Sequence, residues 1–215
     1  MKKCTFISIV VLITTIQTRA QVAKFGITAG ITIASANGKS DDSQGKSTSK
    51  LGFTAGVLAD ISAGKKFSFQ PAVNFVQKGF SQSDNSSGTN VKVKATLNYI
   101  EVPLNFVFNS ESPNSTFFVG AGPSFAMGVS GKATIIDDGE KVSVGLHFGS
   151  TPEDVMKRFD VGANILAGIR FKSGAFISAN YNRGLSNNST TSDATVHNNY
   201  VGLKLGFLLN SRKIM

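Results

Sequence analysis

The chain has 215 residues, one cysteine, and 22 Lys and Arg against 13 Asp and Glu, giving a formal charge of +9. That length suits one domain, the single Cys4 excludes an internal disulfide and a multi-thiolate metal site, and the positive balance comes without the Lys/Arg cluster or aromatic platform that nucleic-acid binding requires. The composition holds 22 Gly, 17 Phe and no Trp at 41% hydrophobic content.

Residues 1–20 read as a secretory leader. Lys2 and Lys3 start it, the run from Cys4 to Gln17 is apolar and hydroxyl-rich, and Thr18-Arg19-Ala20 offers small residues before a cut at Gln21. The run is shorter than the roughly 20 residues that span a bilayer. Cleavage removes Lys2, Lys3, Arg19 and Cys4 but no acid, so residues 21–215 form one basic, cysteine-free domain.

The remaining chain repeats one pattern about eight times: ten or so residues alternating apolar with small or polar, closed in turn by a long polar loop and a short turn. Such alternation predicts a transmembrane β-barrel, with one face of each strand to lipid and the other to the lumen. The first strand, 22–34, sets Phe25, Ile27, Ala29, Ile31 and Ile33 against Lys24, Gly26, Thr28, Gly30 and Thr32. A polar loop over 35–49 follows, then a second strand over 50–62 with Leu51, Phe53, Val57 and Ile61 outward and Asp60 inward. Ala63-Gly64-Lys65 turns into the third strand, 66–79, where Pro71 predicts a bulge or local break in pairing and Lys78 points inward. After a loop over 80–90, the lower half of strand four alternates Ile100, Val102, Leu104, Phe106 and Phe108 with Tyr99, Glu101, Pro103 and Asn105.

Strand five, 115–131, carries Phe117, Val119, Phe125, Met127 and Val129 outward. In the connection over 132–157, Asp137-Asp138-Gly139-Glu140 predicts a hairpin extending the wall, and Thr151-Pro152-Glu153-Asp154 predicts the capped start of a short helix. Strand six is the most regular: Phe159, Val161, Ala163, Ile165, Ala167, Ile169 and Phe171 recur at period two, opposite Asp160, Asn164 and Arg170. Strand seven covers 175–185, and strand eight, 195–210, ends on Val201, Leu203, Leu205, Phe207 and Leu209. The predicted architecture is a single eight-stranded antiparallel transmembrane barrel with short periplasmic turns and longer extracellular loops. A lumen of that size is just wide enough for side chains to fill. Lys24, Asp60, Lys78, Glu101, Asp160, Arg170 and Lys204 face it as a structural charge network able to neutralise itself without an aqueous pore, with Lys24 and Asp60 expected at one depth.

The motifs Phe25-Gly26-Ile27-Thr28-Ala29-Gly30, Gly52-Phe53-Thr54-Ala55-Gly56, Phe69-Gln70-Pro71 with Lys78-Gly79, Tyr99-Ile100-Glu101-Val102-Pro103-Leu104, Val119-Gly120-Ala121-Gly122-Pro123 and Tyr181-Asn182-Arg183-Gly184-Leu185 occur in order over most of the chain. In this the sequence resembles the PorT-like outer-membrane β-barrel proteins of Gram-negative bacteria. The resemblance implies an eight-stranded outer-membrane barrel, mostly without a known activity, a few relatives looking like accessories of protein secretion. The lack of Trp departs from the usual aromatic girdle, for which only Tyr99, Tyr181 and Tyr200 are available.

Catalytic and metal chemistry finds little support. His147 and His197 stand alone without ligand spacing. Asp137, Asp138 and Glu140 lack a calcium-loop pattern and read as solvated turn acids. Gly120-Ala121-Gly122 has the look of a phosphate-loop fragment but lies within a strand. The expectation is therefore a non-catalytic outer-membrane barrel, without cofactor or metal, acting in envelope structure or loop-mediated binding. A small passive diffusion channel is the second reading and an outer-membrane enzyme the third. The expected partners are outer-membrane lipid, lipopolysaccharide and the barrel assembly machinery, around a monomer whose specific protein partner the sequence does not name.

Overall fold

The computed structural model describes residues 23–40, 43–46, 48–84, 91–137, 140–149, 154, 156–190 and 194–209. The expected leader and most of the expected short helix lie outside them. Among the described residues ten strands form: β1 (Ala23–Ser40), β2 (Ser43–Lys46), β3 (Thr48–Ser62), β4 (Phe67–Asp84), β5 (Val91–Glu111), β6 (Ser115–Asp137), β7 (Glu140–Leu146), β8 (Phe159–Phe171), β9 (Ala175–Gly184) and β10 (Ala194–Leu208). They make one antiparallel sheet in the order β10-β9-β8-β6-β5-β4-β3-β1, and pairing of β1 with β10 closes it into an eight-stranded barrel. Closure matters in lipid, where an open sheet edge would leave N–H and C=O groups without partners. The short strands β2 and β7 prolong the wall by pairing with the far ends of β1 and β6.

The two faces are sorted as a lipid solvent demands. Phe25, Ile27, Val57, Phe106, Ile165 and Leu205 are exposed on the outside, while Thr32, Thr54, Asn74, Glu101 and Asn182 are buried inside. The short connections after β3, β5 and β8 lie at the same end as the start of β1 and the end of β10. In a barrel of this kind that end is periplasmic.

Two segments read as loops are strand. Over 35–49, β1 runs on to Ser40 and returns as β2, and over 80–90, β4 runs on to Asp84. Small polar side chains did not signal this, but the neighbouring backbones extend as far, with Ser40 opposite Ala194 and Asp84 opposite Val91. A main-chain ladder needs no apolar face once both sides meet water. The predicted Asp-Gly hairpin forms as β6–β7, with Asp137 opposite Glu140.

The expected interruption at Pro71 is one of three. Pairing between β3 and β4 skips the level of Pro71, pairing between β4 and β5 skips that of Pro103, and pairing between β5 and β6 skips that of Pro123. Each proline lacks the N–H its neighbour would need, yet register is kept on both sides of each gap. True register shifts occur elsewhere, between Ser49 and Thr54 in β3 and beside Val129 in β6. Outside the prolines, a groove of about 440 Å³ on the lipid face is lined by Phe25, Ile27, Val57, Pro71, Val73 and Leu209.

Candidate functional site: a layered lumen

From the periplasmic end upward, the lumen holds four layers. At the bottom, Arg170 donates to Asp60 Oδ2 at 2.7 Å and to Asn109 Oδ1 at 3.0 Å, and Asn109 donates to Ser68 at 3.2 Å. Beside this, Leu58, Val107, Phe118, Phe176 and Leu208 form an apolar plug, with the Phe118 and Phe176 rings edge to face at 6.3 Å. All five stand on the inward phase of strands whose inward residues in the membrane wall are otherwise mostly polar or glycine. The sequence carries the signal as breaks in alternation near the short turns: Val57-Leu58, Phe117-Phe118, Phe176-Ile177 and Phe207-Leu208.

The middle layer is built of amides. Asn180 donates to Asn164 Oδ1 at 3.0 Å and Asn164 donates to Asn105 Oδ1 at 2.9 Å, so β5, β8 and β9 are tied across the lumen. Here lies a chamber of about 40 Å³, lined among others by Thr28, Asn74, Asn180, Tyr200 and Lys204, room for roughly one or two waters.

Above it sits the most buried charge cluster. Lys78 Nζ lies 3.1 Å from Glu101 Oε2 and 3.5 Å from Asp160 Oδ2, and all three side chains are at most 3% exposed. The Tyr200 hydroxyl donates to Glu101 Oε1 at 2.5 Å, and the ammonium also lies 4.9 Å and 5.2 Å from the Tyr99 and Tyr200 ring centroids. Two carboxylates around one cation leave excess negative charge; the phenol donation and the nearby Lys204, which shares the middle chamber with Glu101, offset part of it.

The top layer is an apolar lid. Leu97, Tyr99, Ala126, Phe148 and Met156 pack together, with the Phe148 ring edge-on to Tyr99 at 5.5 Å. Phe148 and Met156 come from the long connection and pair with each other in parallel. The ring lies directly over Gly128, where a Cβ would stand 2.6 Å from Phe148 Cδ1, so only glycine admits the lid at this depth.

The seven charges named from sequence thus fall into separate groups. Lys78, Glu101 and Asp160 meet, Arg170 meets Asp60, and Lys204 lines the chamber. Lys24 is half-buried and stands opposite Asp60 in the β1–β3 register, while the ion pair of Asp60 is with Arg170. Tyr99 and Tyr200, counted above as girdle residues, are lumenal at 0% and 2% exposure; Tyr181 alone of the three tyrosines faces outward. Gly120 and Gly122 pair within the wall.

One corner brings together residue types that hydrolases use. Asp160, Ser186 and His197 meet near the mouth, but the Ser186 hydroxyl donates to Asp160 Oδ1 at 2.8 Å, and His197 Nδ1 lies 2.9 Å from the Ser186 carbonyl oxygen. The imidazole is bonded to the serine's main chain and the hydroxyl to the carboxylate, so the serine–imidazole hydrogen bond of a nucleophilic triad is not made. His147 takes no part in it.

Residues 17–190 match the family described as "Outer membrane protein beta-barrel domain". No curated protein matches the chain. Among solved structures it is similar to Ail, the attachment invasion locus protein of Yersinia pestis, at 17% identity, covering 86% of this chain and 99% of that one with a TM-score of 0.38. It is also similar to OprG of Pseudomonas aeruginosa, at 12% identity over 89% and 98% with a TM-score of 0.49, and to the protease OmpT of Escherichia coli, at 9% over 90% and 99% with a TM-score of 0.34. With the family matched over most of its length and the closed, lipid-sorted barrel in view, the chain belongs to the outer-membrane β-barrel family and is an outer-membrane protein.

Proposed function

We propose that this barrel is closed to solutes and non-catalytic, and that it acts through what its extracellular surface binds, as one of the PorT-like proteins. The observation that carries this is the stacking of the lumen: an apolar plug and an apolar lid enclose the buried Lys78, Glu101 and Asp160 cluster, and the chamber between is only about 40 Å³. An ion crossing it would have to shed water against apolar side chains at both ends. The non-catalytic reading is supported by His197, whose imidazole is held on the Ser186 main-chain carbonyl and not on its hydroxyl. The ordered motifs of the sequence support the finer PorT-like assignment, a family in which a few members look like accessories of protein secretion. In this reading the barrel is a monomer, surrounded by lipid and lipopolysaccharide and inserted by the barrel assembly machinery.

Single-channel recording in planar bilayers tests the reading. The unmodified protein is expected to give no steady conductance. A reproducible ion current would replace the reading with that of a small diffusion channel.

A further inference from the structure

Above the membrane wall, β5, β6 and β7 project as a sheet, flanked along the other side of β5 by the end of β4. Its outward rows are read from the register: Lys92 beside Ile136 and Lys141, Lys94 beside Thr134 and Ser143, and Thr96 beside Lys132 and Gly145. Below them come Asn98 and Ser130, hydrogen-bonded at 2.9 Å, and then the lipid-facing Ile100, Val102, Met127 and Val129. Lys92, Lys94, Lys132 and Lys141 are all exposed. Lys50 joins them from β3: its chain lies over Gly79, where a side chain would meet it, and its ammonium donates to Thr96 Oγ1 close to Lys94. Among the described side chains, this face carries no acid. Asp137 and Glu140 stand on the opposite phase, with Ile135 and Val142.

We propose that this lysine face is a docking surface for the phosphate groups of the glycolipid headgroups that surround the barrel in the outer leaflet. It rests on the reading that the protein acts through its outer surface. Two observations choose this partner over a soluble polyanion. The face continues the lipid-facing wall, so the ammonium groups project sideways over neighbouring lipids. It is also tall. Same-face residues along a strand are about 6.6 Å apart, so the rows of Lys132, Lys94 and Lys92 stand at three heights. A phospholipid headgroup zone is only about 5–8 Å thick. A headgroup bearing phosphates at more than one height fits better, with the lysine stems bending down to the lowest.

The test compares unmodified protein with the variant carrying Lys92→Gln, Lys94→Gln, Lys132→Gln and Lys141→Gln. Both are purified in detergent and titrated with bisphosphorylated lipid A or its dephosphorylated form, and bound lipid is counted by native mass spectrometry. A lysine near an anionic surface contributes about a fivefold factor, so the variant is expected to bind lipid A at least about a hundredfold more weakly. The dephosphorylated lipid is expected to bind neither protein appreciably, and raising the salt is expected to weaken the unmodified protein's binding. Equal lipid A binding by the two proteins overturns the proposal, as does equal binding of the two lipids. Tighter binding of a soluble sulfated polysaccharide than of lipid A overturns it in favour of an extracellular glycan partner. Heat-modified gel mobility checks folding. Should the fourfold variant not fold, salt dependence and the lipid comparison on the unmodified protein decide. Conductance recorded on the same preparations keeps a failure of the lysine face distinct from a failure of the closed-lumen reading.

Discussion

The membrane wall and the sheet projecting above it share the long strands β5 and β6, yet their faces have opposite polarity. In the wall, outward residues are apolar and inward ones mostly polar. In the projection, outward residues are mostly lysines and hydroxyls, with Ile136 among them, and inward ones are Val93, Ala95, Leu97, Ala133, Ile135, Val142 and Val144. The two long strands make this change by different means. In β5 the geometry is continuous and the sequence changes phase, at the Tyr99-Ile100 doublet. In β6 the odd-numbered apolar phase runs unbroken from Phe125 to Ile135, and the extra residue beside Val129 turns the strand over. Exposure alone therefore says little about which way a β-residue wants to face. The solvent does, and it changes from lipid to water within two residues.

The largest effect that would test this contrast lies in the lumen of the wall. Lys78→Ala leaves Glu101 and Asp160 buried without their cation and is expected to cost about 3–5 kcal/mol in unfolding measured in detergent. Lys94→Ala in the projection is expected to stay within about 0.5 kcal/mol. Similar losses would mean that the two regions do not differ as described.

Next in size is a pair of matched apolar positions. Ile165 and Val142 are 55% and 59% exposed, the first to lipid and the second to water. Ile165→Arg is expected to cost about 2–4 kcal/mol near the bilayer midplane, and Val142→Arg almost nothing. Equal costs would place the projection inside the bilayer.

Smaller still is the effect at the boundary. Gly128→Ala pushes a methyl group into the Phe148 ring and is expected to destabilise by about 1–3 kcal/mol through overpacking. Hydrogen exchange is expected to rise around 146–149 and 156–158 without a conductance appearing, because the lower plug is untouched. A steady current in this variant would show that the lid alone closes the lumen.

The least costly change is deletion of Val129, which removes the extra residue. It is expected to turn the upper half of β6 over, so that a cysteine at 132 loses reactivity to a water-soluble thiol reagent and one at 133 gains it, with little change in overall stability. An unchanged labelling pattern would show that β5 and β7, and not the bulge, set the orientation.

Much of this was legible in one dimension. Strict period-two alternation with apolar residues on one phase, as in β8, specifies a strand with lipid on one side, because no helix keeps seven such positions on one face. Short turns alternating with longer connections then orient the barrel, and inward Lys78, Glu101 and Asp160 follow from parity. What parity cannot supply is depth and partner. That Asp60 meets Arg170 and Lys78 meets two acids depends on strand stagger, which no single strand encodes. The ends of β1 and β4 were hidden because a strand wet on both faces loses its hydropathy signal. The lid was hidden because Phe148 enters the lumen from outside any regular element. The lysine face was hidden because its members are spread from Lys50 to Lys141, on four strands, and only the register of the pairings from β3 through to β7 makes them neighbours. Side-chain order along each membrane strand was enough to tell its lipid face from its lumen face, whereas which charges meet emerged only on folding, since in a barrel proximity comes from register between strands.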